Sequence, residues 1–160
     1  MIILHGISSL NIGGAETALY RLIKNDKSNF HHVITLSKNG HYKNHLSCFS
    51  NVKIYEVDLK KIHKLFTNLY TIFKLILFIK PDIIQTWLYH SDFLIGIIAK
   101  LLGHKKIYWN IRNSKLKFKY NSLSLNFLIV FNSLLSYLIP KKIIVNSLAG
   151  IKYHKKLFYS

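Results

Sequence analysis

Short apolar, β-branched runs alternate along the chain with longer segments whose apolar residues recur every three to four positions. Continuous apolar runs read as strands covered on both faces, and the longer spacing reads as helices with one apolar stripe. Ile2–Ser8 predicts the first strand. Gly13-Gly14 then break the chain, and Ala15–Lys24 predicts a helix carried by Ala15, Ala18, Leu19, Leu22 and Ile23. His32–Leu36 and Val52–Val57 predict two more strands, with a weak helix from about Tyr42 to Phe49 between them. Ile62–Ile79 has helical period, with Leu65, Phe66, Leu69, Ile72, Phe73 and Ile76 on one face. Pro81 stops it, because proline pushes the residue before it out of the helical region. Ile83–Thr86 follows as a strand, Ser91–Leu102 as a helix closed by Gly103, and Ile107–Ile111 as a strand. Leu123–Leu138 and Ile143–Val145 predict a helix and a last strand, and Lys152–Ser160 a final helix and exit.

A strand-then-helix unit repeated in this way implies a parallel sheet, since parallel neighbours need long crossovers. Right-handed crossovers place helices on both faces. The expected fold is therefore α/β, a Rossmann-like doubly wound parallel sheet.

Composition bounds the picture further. Half of the 160 residues are apolar, and 23 Lys and Arg stand against 6 Asp and Glu, a net charge of +17. A disordered basic tail would lack that much apolar surface. The length suits one domain, residues 1–160, because single cores run to about 100–200 residues. Cys48 is the only cysteine, so no internal disulfide exists, and two prolines with 14% aromatics exclude fibrous classes. The charge calls for an anionic partner. It is uneven: twelve of the basic residues and only two acids follow Lys80, and no acid follows Asp92. No Lys or Arg precedes the first apolar run, so Met1–Gly6 does not read as a secretory signal. The uncharged stretch Leu123–Pro140 leaves two readings, a helix packed on the sheet or lying on a membrane, and a spanning helix. Ser124, Asn126, Asn132, Ser133 and Ser136 dilute its hydrophobicity and favour the first.

Three segments fall where strands end and helices begin. In Ser8-Ser9-Leu10-Asn11-Ile12-Gly13-Gly14-Ala15-Glu16-Thr17, paired glycines precede a helix N-terminus. There, unpaired N–H groups and the helix dipole favour an anion, and glycine permits close approach of a phosphate. Equally, the glycines can simply make a tight turn, with Glu16 satisfying the dipole. The run is neither a G-x-G-x-x-G fingerprint nor a P-loop. Trp87-Leu88-Tyr89-His90-Ser91-Asp92 lies just past another strand, at the rim where open α/β sheets bind ligands. His90 can donate a hydrogen bond to a hydroxyl or phosphate, and Asp92 reads foremost as a helix cap. Arg112 in Trp109-Asn110-Ile111-Arg112-Asn113-Ser114 is a fork-shaped donor for phosphate or carboxylate, or one half of a surface salt bridge. Ser147 reads as a cap and His31-His32 as a solvated strand start. The nine His residues show no metal-ligand spacing, so no metal is expected.

Together these residues resemble a known family. Ile7-Ser8-Ser9-Leu10-Asn11-Ile12-Gly13-Gly14-Ala15-Glu16-Thr17 is similar to the opening of family 4 glycosyltransferases. So are Lys80-Pro81-Asp82-Ile83-Ile84-Gln85-Thr86-Trp87, Tyr89-His90-Ser91-Asp92, Ile111-Arg112-Asn113-Ser114 and Tyr137-Leu138-Ile139-Pro140-Lys141-Lys142-Ile143-Ile144-Val145-Asn146-Ser147. The blocks keep the family's order over nearly the whole chain. The resemblance implies the amino-terminal, acceptor-side half of a two-domain GT-B architecture, without the carboxyl-terminal donor-binding half and inactive alone. It implies hexosyl-type, retaining transfer from a nucleotide-sugar, a substrate rather than a cofactor, to a lipid-linked or cell-envelope glycan acceptor. By that analogy Gly13 and Gly14 face the donor diphosphate and His90 is the catalytic histidine near the reacting centre. Asn11, Glu16, Trp87, Tyr89, Asp92, Arg112 and Asn113 are cleft or acceptor candidates. The expected location is cytoplasmic, on the inner face of the plasma membrane.

A different class also fits. Lys60, Lys61, Lys64 and Lys74 accompany one apolar helix, and Lys115, Lys117 and Lys119 precede another, as in a basic module that binds an anionic membrane without catalysis. Phe118-Lys119-Tyr120 interleaves aromatics with lysine, but no nucleic-acid-binding motif is present and no nucleic-acid partner is expected.

Overall fold

The computed structural model describes residues 1–59, 64–112 and 121–160. Six strands, β1 (Ile2–Ile7), β2 (Phe30–Thr35), β3 (Val52–Glu56), β4 (Ile83–Trp87), β5 (Ile107–Ile111) and β6 (Lys142–Val145), form one sheet in the order β3-β2-β1-β4-β5-β6. Every adjacent pair is parallel. Between them run α1 (Gly14–Asn25), α2 (His41–Ser47), α3 (Leu65–Ile79), α4 (Tyr89–Leu101) and α5 (Leu123–Leu135), and α6 (Leu148–Lys156) follows. The expected doubly wound α/β fold is therefore present.

The strand order explains the layers. From β1 the chain steps one way to β2 and β3, and after the long crossover it steps the other way from β4 to β6. Right-handed crossovers in opposite directions must use opposite faces. Accordingly Ala15, Leu19, Ile23 and Leu46 of α1 and α2 pack with Ile7, Val33 and Trp87 on one face. Ile72 and Ile76 of α3, Ile95 and Ala99 of α4 and Ile129 of α5 pack with Leu4, Ile34, Ile84, Ile107 and Trp109 on the other. The reversal falls between β1 and β4, and the loops leaving their carboxyl ends part there to open a crevice.

Termini of the helices follow local chemistry. Lys80 caps α3 in the left-handed region (φ 48°), with its N–H bonded to the Ile76 carbonyl. Gly103 takes φ +81° after α4, where a Cβ would be strained. Ser147 caps α6 as expected, its Oγ accepting from Gly150 N at 3.0 Å. The 13-residue α5 is shorter than its apolar pattern predicts, and no helix among the described residues is long and apolar enough to cross a membrane.

One strand expectation is corrected. His31 is fully buried, with its Nδ1 3.0 Å from the Nε2 of fully buried His5. The register that sets His5 beside Val33 and His31 beside Ile3 turns both imidazoles to the same face of the sheet, where they stack on each other and His5 meets Trp87. His32, on the opposite face, stays half-buried against Tyr55.

Candidate functional site

The crevice is built from four strand ends. Ser8 leaves β1, Leu36 and Ser37 leave β2, Leu59 lies past β3, and His90 opens α4 beyond β4. Together with Leu94 they line a cavity of about 290 Å³. Its walls are leucine, yet Ser8 Oγ and Ser37 Oγ are both buried there without a hydrogen-bond partner among the described residues. A shielded hydroxyl without a partner is unfavourable by about 1–3 kcal/mol, so each is an unmet polar demand just behind the cavity lining. A second cavity of about 330 Å³ opens on the other side of His90, between α4 and α5, against Phe93, Ser124, Phe127, Leu128 and Phe131. His90 forms the wall shared by the two.

The backbone at this junction is unusual. Leu88 has φ 72° and ψ 153°, a region that disfavours any residue with a Cβ and costs about 1–3 kcal/mol. Ser91 Oγ holds the turn by donating to the Trp87 and Leu88 carbonyls, and Leu88 N donates to the Asn110 carbonyl. The sharp turn sends Tyr89 inward and leaves His90, the second residue of α4, exposed. The imidazole of His90 forms no hydrogen bond or ion pair among the described residues, and partial desolvation lowers its pKa from the usual value. Desolvation thus favours its neutral form, which donates from one nitrogen and accepts at the other.

Tyr89 lies under the rim rather than in it. Its hydroxyl meets His154 Nε2 at 2.7 Å, and His154 Nδ1 meets the Gly150 carbonyl at 2.8 Å. Since a carbonyl only accepts, Nδ1 carries the proton and Nε2 accepts from Tyr89. Asn132 Nδ2 donates to the Tyr89 carbonyl at 2.8 Å. The start of α4 is in this way pinned to α5 and α6. Asp92 is also fully buried. It caps nothing: its carboxylate accepts from Thr86 Oγ1 at 2.6 Å, and burial raises its pKa well above the ordinary carboxylate value. The cap expected of Asp92 fails because its side chain turns back to β4 instead of along the helix axis.

On the far side of β1 and β4, the glycine loop meets the start of α1. Gly13 is extended (φ −171°), so neither its conformation nor a turn demands glycine. A Cβ on Gly13 would press on the Glu16 carboxylate, whose end can swing away, and a Cβ on Gly14 would meet only open space. The tight-turn reading of this pair thus loses its physical basis, and room for a close approach remains. Glu16 folds back to accept from Ser9 Oγ at 3.0 Å, placing its charge on the first turn of α1, as the dipole reading predicts. Asn11 is exposed on the loop. The loop is held from below, where Tyr42 N donates to the Leu10 carbonyl and Gly40 packs against the Leu10 backbone.

Arg112 sits half-buried with its guanidinium 5.2 Å from the centre of the Trp87 ring. Trp87 is fully buried, so it offers the crevice the support of Arg112 and not its own surface. Arg112 forms no salt bridge among the described residues, and burial lowers its pKa. Asn113 lies outside the described residues, as do Lys60, Lys61, Lys115, Lys117, Lys119 and the run Phe118-Lys119-Tyr120. No three His, Cys, Asp or Glu side chains gather as a metal-ligand set among the described residues.

The fold therefore joins His90 with Ser8 and Ser37, and Arg112 with Trp87, and it withdraws Tyr89 and Asp92 into the packing. Ser37, Asn132 and His154 escaped the sequence reading because only the sheet order brings Ser37 to the cavity and only the packing of α5 and α6 brings Asn132 and His154 to Tyr89 beneath the rim. Five exposed lysines escaped it for the same reason. Lys80, Lys105, Lys106 and Lys141 precede β4, β5 and β6 and Lys142 opens β6, and the adjacency of these strands gathers them at the amino edge of the sheet. No protein-family model matches the chain, and no curated protein matches it as a relative.

Proposed function

We propose that this domain is the acceptor-side half of a glycosyltransferase resembling family 4, which moves a sugar from a nucleotide donor to an acceptor hydroxyl. One observation carries the reading. At the point where the strand order reverses, an unpaired His90 lines a cavity together with Ser8 and Ser37, while across β1 the space beside Gly14 at the start of α1 is empty. The transfer breaks the bond between the sugar's anomeric carbon and the diphosphate and forms one from that carbon to the acceptor oxygen, whose proton passes to the departing diphosphate. His90 would hydrogen-bond the reacting sugar, and Ser8 and Ser37 would orient hydroxyls of the bound molecule. The α1 N-terminus and Arg112 would face the charge that develops on the leaving diphosphate. A second, donor-binding domain would supply the remaining cations.

The test joins this chain to the donor-binding half of a family 4 enzyme and measures nucleoside diphosphate release from UDP- and GDP-sugars with cell-envelope acceptors. His90→Ala should lower kcat by roughly 10²–10³ with unchanged thermal unfolding, the size expected for one aligned hydrogen bond in such a transition state. A fusion that folds and never turns over sinks the reading.

A second reading, attachment to an anionic membrane surface, is favoured by a separate observation. The outer sides of α3 and α5 expose Phe66, Phe78, Phe127 and Leu134, Leu138 stands exposed just past α5, and no acid lies on either helix. Flotation with anionic and neutral vesicles tests it, and equal recovery with both would remove it. The two readings are compatible for an enzyme whose acceptor is a lipid.

A further inference from the structure

One pair of histidines departs from the expectation that none has ligand spacing. His41 and His45 stand four residues apart, at the start and in the last turn of α2, and both are exposed. Residues one helical turn apart share a face, and the two imidazole ring centres lie 4.9 Å from each other. A divalent metal held about 2.1 Å from one nitrogen of each ring, at a tetrahedral angle, would set those centres about 5 Å apart. The tautomer suits a ligand as well. His45 Nδ1 lies 3.2 Å from the His41 carbonyl, which can only accept, so Nδ1 carries the proton and Nε2 keeps its lone pair. Protein imidazoles that hold metals are fixed in the same way, by a hydrogen bond at the other nitrogen. Neighbouring rings fix the planes: His41 packs edge-to-face with Tyr42 at 5.1 Å, and His45 with Tyr20 at 6.0 Å. Lys43, the cation between the two in sequence, is drawn away to Glu56 at 2.6 Å.

We propose that His41 and His45 form a two-imidazole site for a divalent transition-metal ion of the zinc or nickel type. Imidazole nitrogen suits such ions, whereas magnesium and calcium require oxygen ligands. Among the described residues no third His, Cys, Asp or Glu joins the pair, and Cys48 turns its Sγ to the Asn44 carbonyl at 3.2 Å. Water therefore completes the coordination shell. The consequence is structural. A seven-residue helix is too short to hold itself, and α2 has no side-chain cap at its start. A metal bridging its first and fifth residues clamps that turn. Tyr42 lies inside the clamp, with its N–H on the Leu10 carbonyl at 2.8 Å and its hydroxyl 2.8 Å from Thr17 Oγ1. The bound ion thereby braces the glycine loop and the start of α1 from below, whatever that loop binds.

The experiment uses the 160-residue chain carrying Cys48→Ser, which removes the exposed thiol as a competing ligand. Calorimetry with zinc, nickel and magnesium chlorides should show one tight zinc or nickel ion per chain and no magnesium. His41→Ala and His45→Ala should each weaken that binding about 10²-fold, the gain expected when a second ligand acts intramolecularly. Both positions are exposed, so metal-free thermal unfolding should not move in either variant. In the unsubstituted pair, zinc should shift the ring-proton NMR signals of His41 and His45 together and leave those of His32 and His104 in place. Hydrogen exchange at the Tyr42 and Leu46 amides should slow when zinc is added. An unchanged affinity in either single variant, or zinc spread over several histidines with comparable affinity, marks adventitious surface binding and overturns the proposal. Binding through both rings without slower exchange keeps the site and removes the brace. Neither result bears on the transferase reading, which is tested in the fusion.

Discussion

Gly14 separates two explanations at a single atom. Were glycine there for the fold, adding a methyl group would strain the turn, but the space around its Cβ position is empty. Gly14→Ala should therefore leave urea stability unchanged or raise it by up to about 1 kcal/mol, since alanine suits a helix better than glycine. In the fusion enzyme the same change should raise KM for the nucleotide-sugar at least tenfold, because the methyl would occupy the approach to the N-terminus of α1. An unaltered KM would remove the diphosphate from this loop. The His5–His31 pair makes a different residue-scale prediction. Burial, then the neighbouring His31, pushes His5 down to about 3, and burial also lowers His31. Because these folded values lie below the unfolded one near 6.5, the unfolded chain binds more protons, and stability present above pH 6.5 drains away as pH falls toward 3. His5 alone should account for roughly 2 kcal/mol between pH 7 and pH 5. The buried carboxyl of Asp92 acts in the opposite sense, so the check is a comparison of urea midpoints for wild type and His5→Leu/His31→Leu. The double variant should lose much of the acid slope; an unchanged slope would contradict the buried pair. Nothing in the sequence announced that pair: two adjacent histidines at a strand start look solvated until the register with β1 buries one of them.

Elements were more legible than their side-chain partners. Each strand that alternation and apolar runs predict exists within a residue or two, since a parallel sheet covered on both faces leaves continuous apolar runs that little else produces. Helix starts were harder. The α4 helix begins at Tyr89, two residues before the periodicity places it, because Ser91 and the strained Leu88 support a turn that no propensity favours. That early start moves Tyr89 from the rim into the packing between α4, α5 and α6. A role in the crevice and a role in the packing differ in what Tyr89→Phe should do. Removing the hydroxyl leaves the accepting nitrogen of buried His154 unpaired, at a cost of about 1–3 kcal/mol. Thermal unfolding should report that loss, and His154→Phe in the Tyr89→Phe background should recover part of it, since both polar partners are then gone. A Tyr89→Phe variant of normal stability that lost acceptor affinity would return the residue to the crevice. The site was thus half legible: the rim could be located from strand ends, but the inward or outward direction of each side chain depends on turn geometry that the sequence does not encode locally.

At the scale of the molecule, the charge excess has a place. Lys80, Lys105, Lys106, Lys141 and Lys142 come from separate stretches of chain, so no local charge run marks them, yet the β4-β5-β6 order sets their strands about 5 Å apart. The acid nearest Lys80 in sequence, Asp82, is engaged with the first N–H of β1 at 2.7 Å, and the one nearest the other four, Asp92, is fully buried. The lysines border the lower ends of α4 and α5, where Leu101, Leu134, Tyr137 and Leu138 stand exposed. Basic residues bordering exposed apolar ones match the interface of an anionic bilayer, each lysine near the surface contributing about 1 kcal/mol. Lys105→Ala/Lys106→Ala/Lys141→Ala/Lys142→Ala should thus weaken binding to anionic vesicles by two to three orders of magnitude in about 0.1 M salt. Salt should shrink that difference sharply, because screening acts over about 10 Å at 0.1 M and about 3 Å at 1 M. Leu134→Ser/Leu138→Ser should instead cause a loss that salt does not relieve, since apolar burial is not screened. Vesicle co-sedimentation across a salt series distinguishes the two. If neither set of changes alters recovery, the membrane contact is elsewhere on the molecule or absent, and the amino edge of the sheet must meet some other anion.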